Sequence, residues 1–169
     1  MATTLYMIIS INGLIAGPKD ETPWSKETWK ECSKIVKKFG NSIIGYRTYK
    51  LMQQAGEFEK LGYPTIVVLT KKKLNVKGKN IYLAHSPKEA IRVLRSKGFS
   101  KFLIGGGGKT NNGFLQQDLI DEIILDVEPI IIGRGIPLLE GKFQVKLKFS
   151  GAKKISRNII RLRYKVQRG

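Results

Sequence analysis

The stretch with the plainest chemistry is LIGGGGKTNNGF, residues 103–114, where four consecutive glycines run into Lys109 and Thr110. A Walker A loop needs glycine, four residues and then Gly-Lys-Thr, and counting back from Gly108 puts Leu103 where the first glycine should stand. No ATPase loop is present. The local chemistry survives that mismatch, because glycines between a strand and a helix let backbone N–H groups approach an anion, and the helix N-terminus adds favourable partial charge. Gly105, Gly106, Gly107 and Gly108, with Lys109 and Thr110, are therefore predicted to hold phosphate.

Other residues of the same chemical kind close apolar segments elsewhere. Asn12 and Gly13 follow the first such segment, Gly45, Arg47 and Thr48 the second, and Thr70, Lys71, Lys72 and Lys73 the third. Ligands of open α/β sheets bind outside the carboxyl ends of strands, so these ends and the glycine run should converge. The set suits a nucleotide with several phosphates. Backbone N–H groups of Gly106 to Gly108 would take a diphosphate, and Arg47, Thr48 and the 70–73 group an additional monophosphate by charge-assisted bonds. That extra phosphate separates NADP from NAD. The second reading of Lys71 to Lys73 is a solvated turn.

The elements that must position these groups alternate between strand and helix, which implies a mostly parallel sheet covered on both faces. Strands are predicted at 4–11, 42–47, 65–70, 80–83, 101–104 and 121–128. Ser25 is placed to cap a helix whose stripe is Trp29, Cys32, Val36 and Phe39, a further helix starts at Thr48, Ser86-Pro87 opens another that Gly98 closes, and one lies near 112–117. In KFQVKLKF and IIRLRYKV apolar residues alternate with cations, so both read as strands with a wet basic face, returning on each other as an antiparallel C-terminal edge. The fold class is α/β in three layers.

The chain of 169 residues suits a single domain over 1–169. It has no apolar run of about 18 residues, and MATTLYMIISINGLIAG lacks the basic start and cleavage pattern of a signal peptide, so a cytosolic protein is expected. One cysteine and one histidine provide neither an internal disulfide nor a His/Cys metal cluster. The net charge of +18 invites a nucleic-acid partner, but the cations fall on strand faces and no nucleic-acid module is recognisable, which argues against one.

The blocks SINGLIAG, PWS, IIGYRTY, IVVLT, LIGGGGKTNNGFL, LIDEIILDVEPIIIGRGIPLL and RLRYKV, in that order, resemble the dihydrofolate-reductase-like superfamily. They look most like the reductase domain of the bifunctional deaminase-reductase of riboflavin biosynthesis and its stand-alone relatives. The resemblance spans residues 4–166. It implies an NADPH-dependent reductase acting on a small molecule, 5-amino-6-(5-phosphoribosylamino)uracil or a near relative. Nicotinamide would enter near Ile15 and Ala16, Trp24 would line the mouth, and Gly45, Thr48 and the glycines from Gly105 would hold cofactor. Lys37 stands where that family has a substrate-binding arginine, beside Asn12 and Gly13 as further substrate contacts. Relatives pair through the C-terminal region, which implies a homodimer.

Against the family pattern, Met52 and Ile104 or Gly105 replace acidic residues, Tyr46 replaces the arginine that dihydrofolate reductases place after Gly45, and Trp29 stands at their helical carboxylate. The polar candidates for proton chemistry are Asn12, Glu27 and Glu128. Each has another reading: Asn12 as a turn residue with Gly13, Glu27 as a carboxylate that reaches the mouth only if its helix shifts, Glu128 as a solvent-facing residue before Pro129. Two other functions stay open, a pterin or other small-molecule reductase on the same scaffold and a basic binding module without catalysis.

Overall fold

A computed structural model describes residues 2–168. In chain order its first half contains β1 (Ala2–Ser10), β2 (Leu14–Ala16), α1 (Lys26–Phe39), β3 (Asn41–Gly45), α2 (Tyr46–Gln54), α3 (Glu57–Lys60) and β4 (Thr65–Leu69). Then follow β5 (Ile81–Ala84), α4 (Pro87–Ser96), β6 (Lys101–Ile104), α5 (Gly108–Leu115), β7 (Glu122–Glu128), β8 (Ile136–Pro137), β9 (Leu147–Lys154) and β10 (Ile160–Val166). Eight strands form one sheet in the order β5-β4-β3-β6-β1-β7-β10-β9, and β2 pairs with β8 in a small separate ribbon. The six strands from β5 to β7 are mutually parallel, while β10 and β9 close one edge antiparallel.

The strands of the sheet's middle are apolar on both sides, as burial between two helical layers demands. On one face Leu5, Ile43, Val67, Phe102 and Ile104 pack against Ala90 and Leu94 of α4 and Phe114 of α5. On the other, Tyr6, Ile8, Leu103 and Ile124 meet Ile35 and Val36 of α1, and Ile44, Ile66 and Val68 meet Tyr49 of α2 and Phe58 of α3. The architecture is the expected three-layer α/β arrangement. Ser25 and Ser86 cap α1 and α4 by accepting the Thr28 and Glu89 N–H groups, so both helix starts fall where the sequence puts them. No helix among the described residues is long and apolar enough to cross a membrane.

Two expectations about side-chain orientation fail. Trp29 does not join the core stripe of α1: it is 38% exposed, and fully buried Thr28 takes the inward position, rotated there by its bond to Glu128. At the start of β10 the alternation is inverted. Arg161 is buried, bonded through Nε and Nη2 to both oxygens of Asp126 at 2.7 Å each, whereas Ile160, Leu147 and Phe149 are exposed. The buried acid on β7 draws Arg161 inward, while farther along β10 Lys165 is exposed and Val166 packs on the core. Residues 143–146 precede the strand rather than forming part of it, and β9 runs on through Gly151 to a tight turn in which Ile155 donates to the Ile159 carbonyl.

Candidate functional site

The glycine run is shaped first by what surrounds it. Gly105 donates its N–H to the Ile43 carbonyl at 2.9 Å, and Gly45 donates to the Gly106 carbonyl at 2.8 Å, so the run is stitched to the end of β3. A Cβ on Gly105 would lie 2.5 Å from Ser42 Oγ, and one on Gly45 would lie 2.8 Å from Thr110 Oγ1. Gly106 has φ +94° and would press a Cβ to 3.0 Å from Met7. These glycines are demanded by packing. Gly107 differs, with φ −77° and a Cβ position touching only Thr48 Oγ1 at 3.6 Å.

Gly107 is also the N-cap of α5, and no side chain caps that helix. The helix begins inside the glycine run, earlier than the 112–117 expected, so its first-turn N–H groups lie directly beyond β6. Gly45, Thr48, Gly106, Gly107 and Thr110 thus meet at the carboxyl ends of β3 and β6, as the sequence predicts. Lys109 is exposed beside them, and Thr110 is buried with its hydroxyl toward Gly45. An uncapped helix N-terminus behind a backbone wall without side chains fits a dinucleotide diphosphate. The cradle and the group match.

The flanking cations are arranged less simply. Arg47 is exposed but bonded to Asp20 by Nε at 2.9 Å and Nη2 at 2.6 Å, a partner not foreseen, which fixes the guanidinium over the loop after β2. Thr70 Oγ1 accepts from Lys72 N at 3.2 Å, and Lys71, Lys72 and Lys73 are exposed in the turn that follows β4. His85, unremarked in the sequence, binds the Thr70 carbonyl through Nδ1 at 2.9 Å and so joins the ends of β4 and β5.

Across the glycine run, Leu138 donates to the Gly13 carbonyl at 3.0 Å, and Asn111 of α5 donates Nδ2 to the Leu138 carbonyl at 3.0 Å. The β2–β8 ribbon therefore carries Ile15 and Ala16, both buried, beside the start of α5, where a Cβ on Gly108 would lie 3.0 Å from the Pro137 carbonyl. Asn111 is fully buried, and its Oδ1 is a buried acceptor without a partner among the described residues.

The three polar candidates separate sharply. Asn12 uses both ends of its amide on the backbone of Ile132, Nδ2 to the carbonyl at 2.6 Å and Oδ1 from the N–H at 3.2 Å, so it clamps a turn. Glu27 is exposed in the first turn of α1. Glu128 does not face solvent: it is 3% exposed, and its Oε1 accepts from Ser25 N at 2.8 Å, Ser25 Oγ at 2.7 Å and Thr28 Oγ1. Trp24 is buried in the cluster beneath α1. Lys37 is exposed in the last turn of α1, whose first turn is the end held at Glu128. At about 1.5 Å per residue it lies roughly 16 Å along the helix from that end, toward the amino ends of the strands.

Cys32 belongs to the core, where burial pushes its thiol up to about 12. Burial also holds the Tyr6 phenol far above its ordinary range, with the Cys32 and Asp126 charges acting in the same direction, while its hydroxyl donates to Asp126 Oδ2 at 2.7 Å. Neither group ionises near neutrality.

Two hollows of about 280 and 230 Å³ flank α2 and α3, the first lined by Tyr46, Tyr49, Lys50 and Lys77, the second by Phe58, Tyr63 and Lys79 among others. Neither touches the glycine run. The position of the run is fixed by the backbone bonds above.

Sheet order and glycine-lined strand ends define a three-layer α/β class whose parallel sheet is closed by an antiparallel edge. Within it, the chain belongs to the RibD C-terminal domain family, whose model matches residues 3–161. The uncharacterised protein YwjB of Bacillus subtilis strain 168 is 28% identical over 164 residues, covering 93% of this chain and 94% of that one. A pyrimidine reductase-like protein of Corynebacterium diphtheriae has the same fold, with a TM-score of 0.76 at 16% identity, covering 99% of this chain and 92% of that one. So does the diaminohydroxyphosphoribosylaminopyrimidine deaminase/5-amino-6-(5-phosphoribosylamino)uracil reductase of Thermotoga maritima, with a TM-score of 0.74 at 14% identity, covering 98% of this chain and 56% of that one.

Proposed function

We propose that this protein is an NADPH-dependent reductase of the riboflavin-biosynthesis type, reducing the ribose of 5-amino-6-(5-phosphoribosylamino)uracil or a near relative. The observation that carries this reading is the meeting of Gly45, Thr48 and Gly106 to Thr110 at two neighbouring strand ends, in a chain of the RibD C-terminal domain family. When bound, the coenzyme supplies a hydride from its nicotinamide ring. The chain's own residues bind and orient. First-turn N–H groups of α5 hold the diphosphate, and Thr48, Thr70, Lys71, Lys72 and Arg47 take the extra phosphate, with Lys109 adding charge at the rim. Ile15 and Ala16, buried on the β2–β8 ribbon, form the apolar wall that keeps water from the ring. Opening of the ribosylamine ring breaks the bond from the anomeric carbon to the ring oxygen and gives an imine; that carbon would accept the hydride and the imine nitrogen a proton, from water or a side chain at the mouth.

Phe149, Leu147 and Ile160 expose an apolar row on the C-terminal hairpin, flanked by exposed Phe143 and Val145. A row of this kind is the surface we assign to a second copy of the chain in a homodimer. We place the enzyme in the cytosol with its metabolite. Calorimetric titration with NADPH and NADH, followed by nicotinamide absorbance with the pyrimidine and with dihydrofolate, tests the reading. Tight NADPH binding and oxidation with the pyrimidine alone are expected; no heat with NADPH defeats it.

A further inference from the structure

Two acids are buried on the α1 side of β7, and they are treated differently. Asp126 is 0% exposed, and every oxygen is engaged by Arg161 or Tyr6. Glu128, two residues on and at the strand's carboxyl end, forms no ion pair with any described residue, in a chain whose net charge is +18. All three of its donors converge on Oε1. An ionised carboxylate has about four acceptor positions, so half of this one is unused. Oε2 receives no hydrogen bond from a described residue and, unlike Asn111 Oδ1, is not a buried orphan: it is the part of Glu128 that an approaching molecule can reach.

Its place is also specific. Glu128 stands opposite Ser10 where β1 and β7 end, next to the loop that carries Asn12 and Gly13 and on through β2 to Ala16. Building on the reductase reading, we infer that Glu128 Oε2 is the acceptor for an N–H donor of the substrate, a planar amino-substituted nitrogen heterocycle such as an aminopyrimidine. The Ser25 and Thr28 bonds hold Oε1 and so aim the carboxylate. Glu128 is then a binding group, fixed by the start of α1.

The test is Glu128→Gln. Its amide oxygen still accepts from Ser25 and Thr28, whereas an NH₂ group replaces Oε2 and presents a donor to a donor. Binding of 5,6-diaminouracil is measured by calorimetry with and without NADPH, alongside the melting temperature and the NADPH affinity. We expect a loss of about 10- to 100-fold in diaminouracil affinity, the scale of one hydrogen bond to a charged group, with NADPH affinity unchanged. Turnover should fall through KM rather than kcat, and Glu128→Asp should recover part of the affinity. Equal binding by wild type and Glu128→Gln overturns the inference, as does absence of diaminouracil binding to the wild type, or losses in Gln and Asp variants that merely track melting temperature. Failure of NADPH to bind instead defeats the reductase reading and leaves the diaminouracil comparison to decide this one.

Discussion

Gly107 is the position where fold and ligand make separable demands. Its φ of −77° is open to any residue, and an added Cβ would meet only Thr48 Oγ1 at an ordinary 3.6 Å. Gly107→Ala should therefore change stability by no more than about 1 kcal/mol, within about 4 °C in melting temperature for a chain of this size. The same methyl stands where a diphosphate must approach the uncapped start of α5. Displacing the phosphate by a methyl's width removes at least one charge-assisted bond, about 1.5–3 kcal/mol, which is roughly 10- to 150-fold in Kd. Gly105→Ala is the counterpart, since its Cβ would lie 2.5 Å from Ser42 Oγ and 3.2 Å from Ile44 Cγ2. Overpacking of that kind costs about 1–3 kcal/mol and should appear in melting temperature. Calorimetric titration with NADPH and differential scanning fluorimetry on both variants give the two readouts. Wild-type NADPH affinity in Gly107→Ala would refute the assignment of the glycine run to the diphosphate.

Asp126→Ala leaves the Arg161 guanidinium and the Tyr6 hydroxyl buried without their partner, a loss of about 3–5 kcal/mol; at about 2–4 °C per kcal/mol, melting should fall roughly 6–20 °C, and a shift under 3 °C contradicts the account. The Cys32 thiol titrates at about 12 when folded and near ~8.5 when unfolded, so its contribution is complete below the lower value and is lost as pH rises toward the higher. Melting temperature should therefore decline between pH 9 and about 12, and Cys32→Ala should make that decline shallower; parallel slopes would count against the burial. Phe149→Glu with Leu147→Glu should convert the proposed dimer to a monomer by light scattering while NADPH affinity holds, and an unchanged mass would remove the C-terminal row from the interface.

Local chemistry was the legible part of this chain. Ser25 and Ser86 announced their helices because a cap is a short-range contact, and the glycine run marked a strand-to-helix junction because only glycine tolerates the approach of Ser42 and Met7. Short elements such as α3, β2 and β8 carry too few residues for a period to show. Inverted orientations have a different cause. Arg161 reads as a surface residue until Asp126, 35 positions earlier, is seen beneath it, and Thr28 turns inward in place of Trp29 because Glu128 waits across 100 positions. A match to a family motif, as at Lys37, says nothing of the end of the sheet that a helix residue reaches. Long-range polar pairs override periodicity, and one sequence does not display them.

The pairing of Asp126 with Arg161 bears on how the chain is made. β7 is synthesised well before its cation, since β8 and β9 intervene and the guanidinium arrives only on the last strand. A nascent chain halted before residue 161 has a bare carboxylate beneath α1, next to the Tyr6 ring and with no counter-charge to offset its burial. The sheet is complete only once β10 has joined β7, and removal of β10 would be felt at the centre of the molecule rather than at its rim.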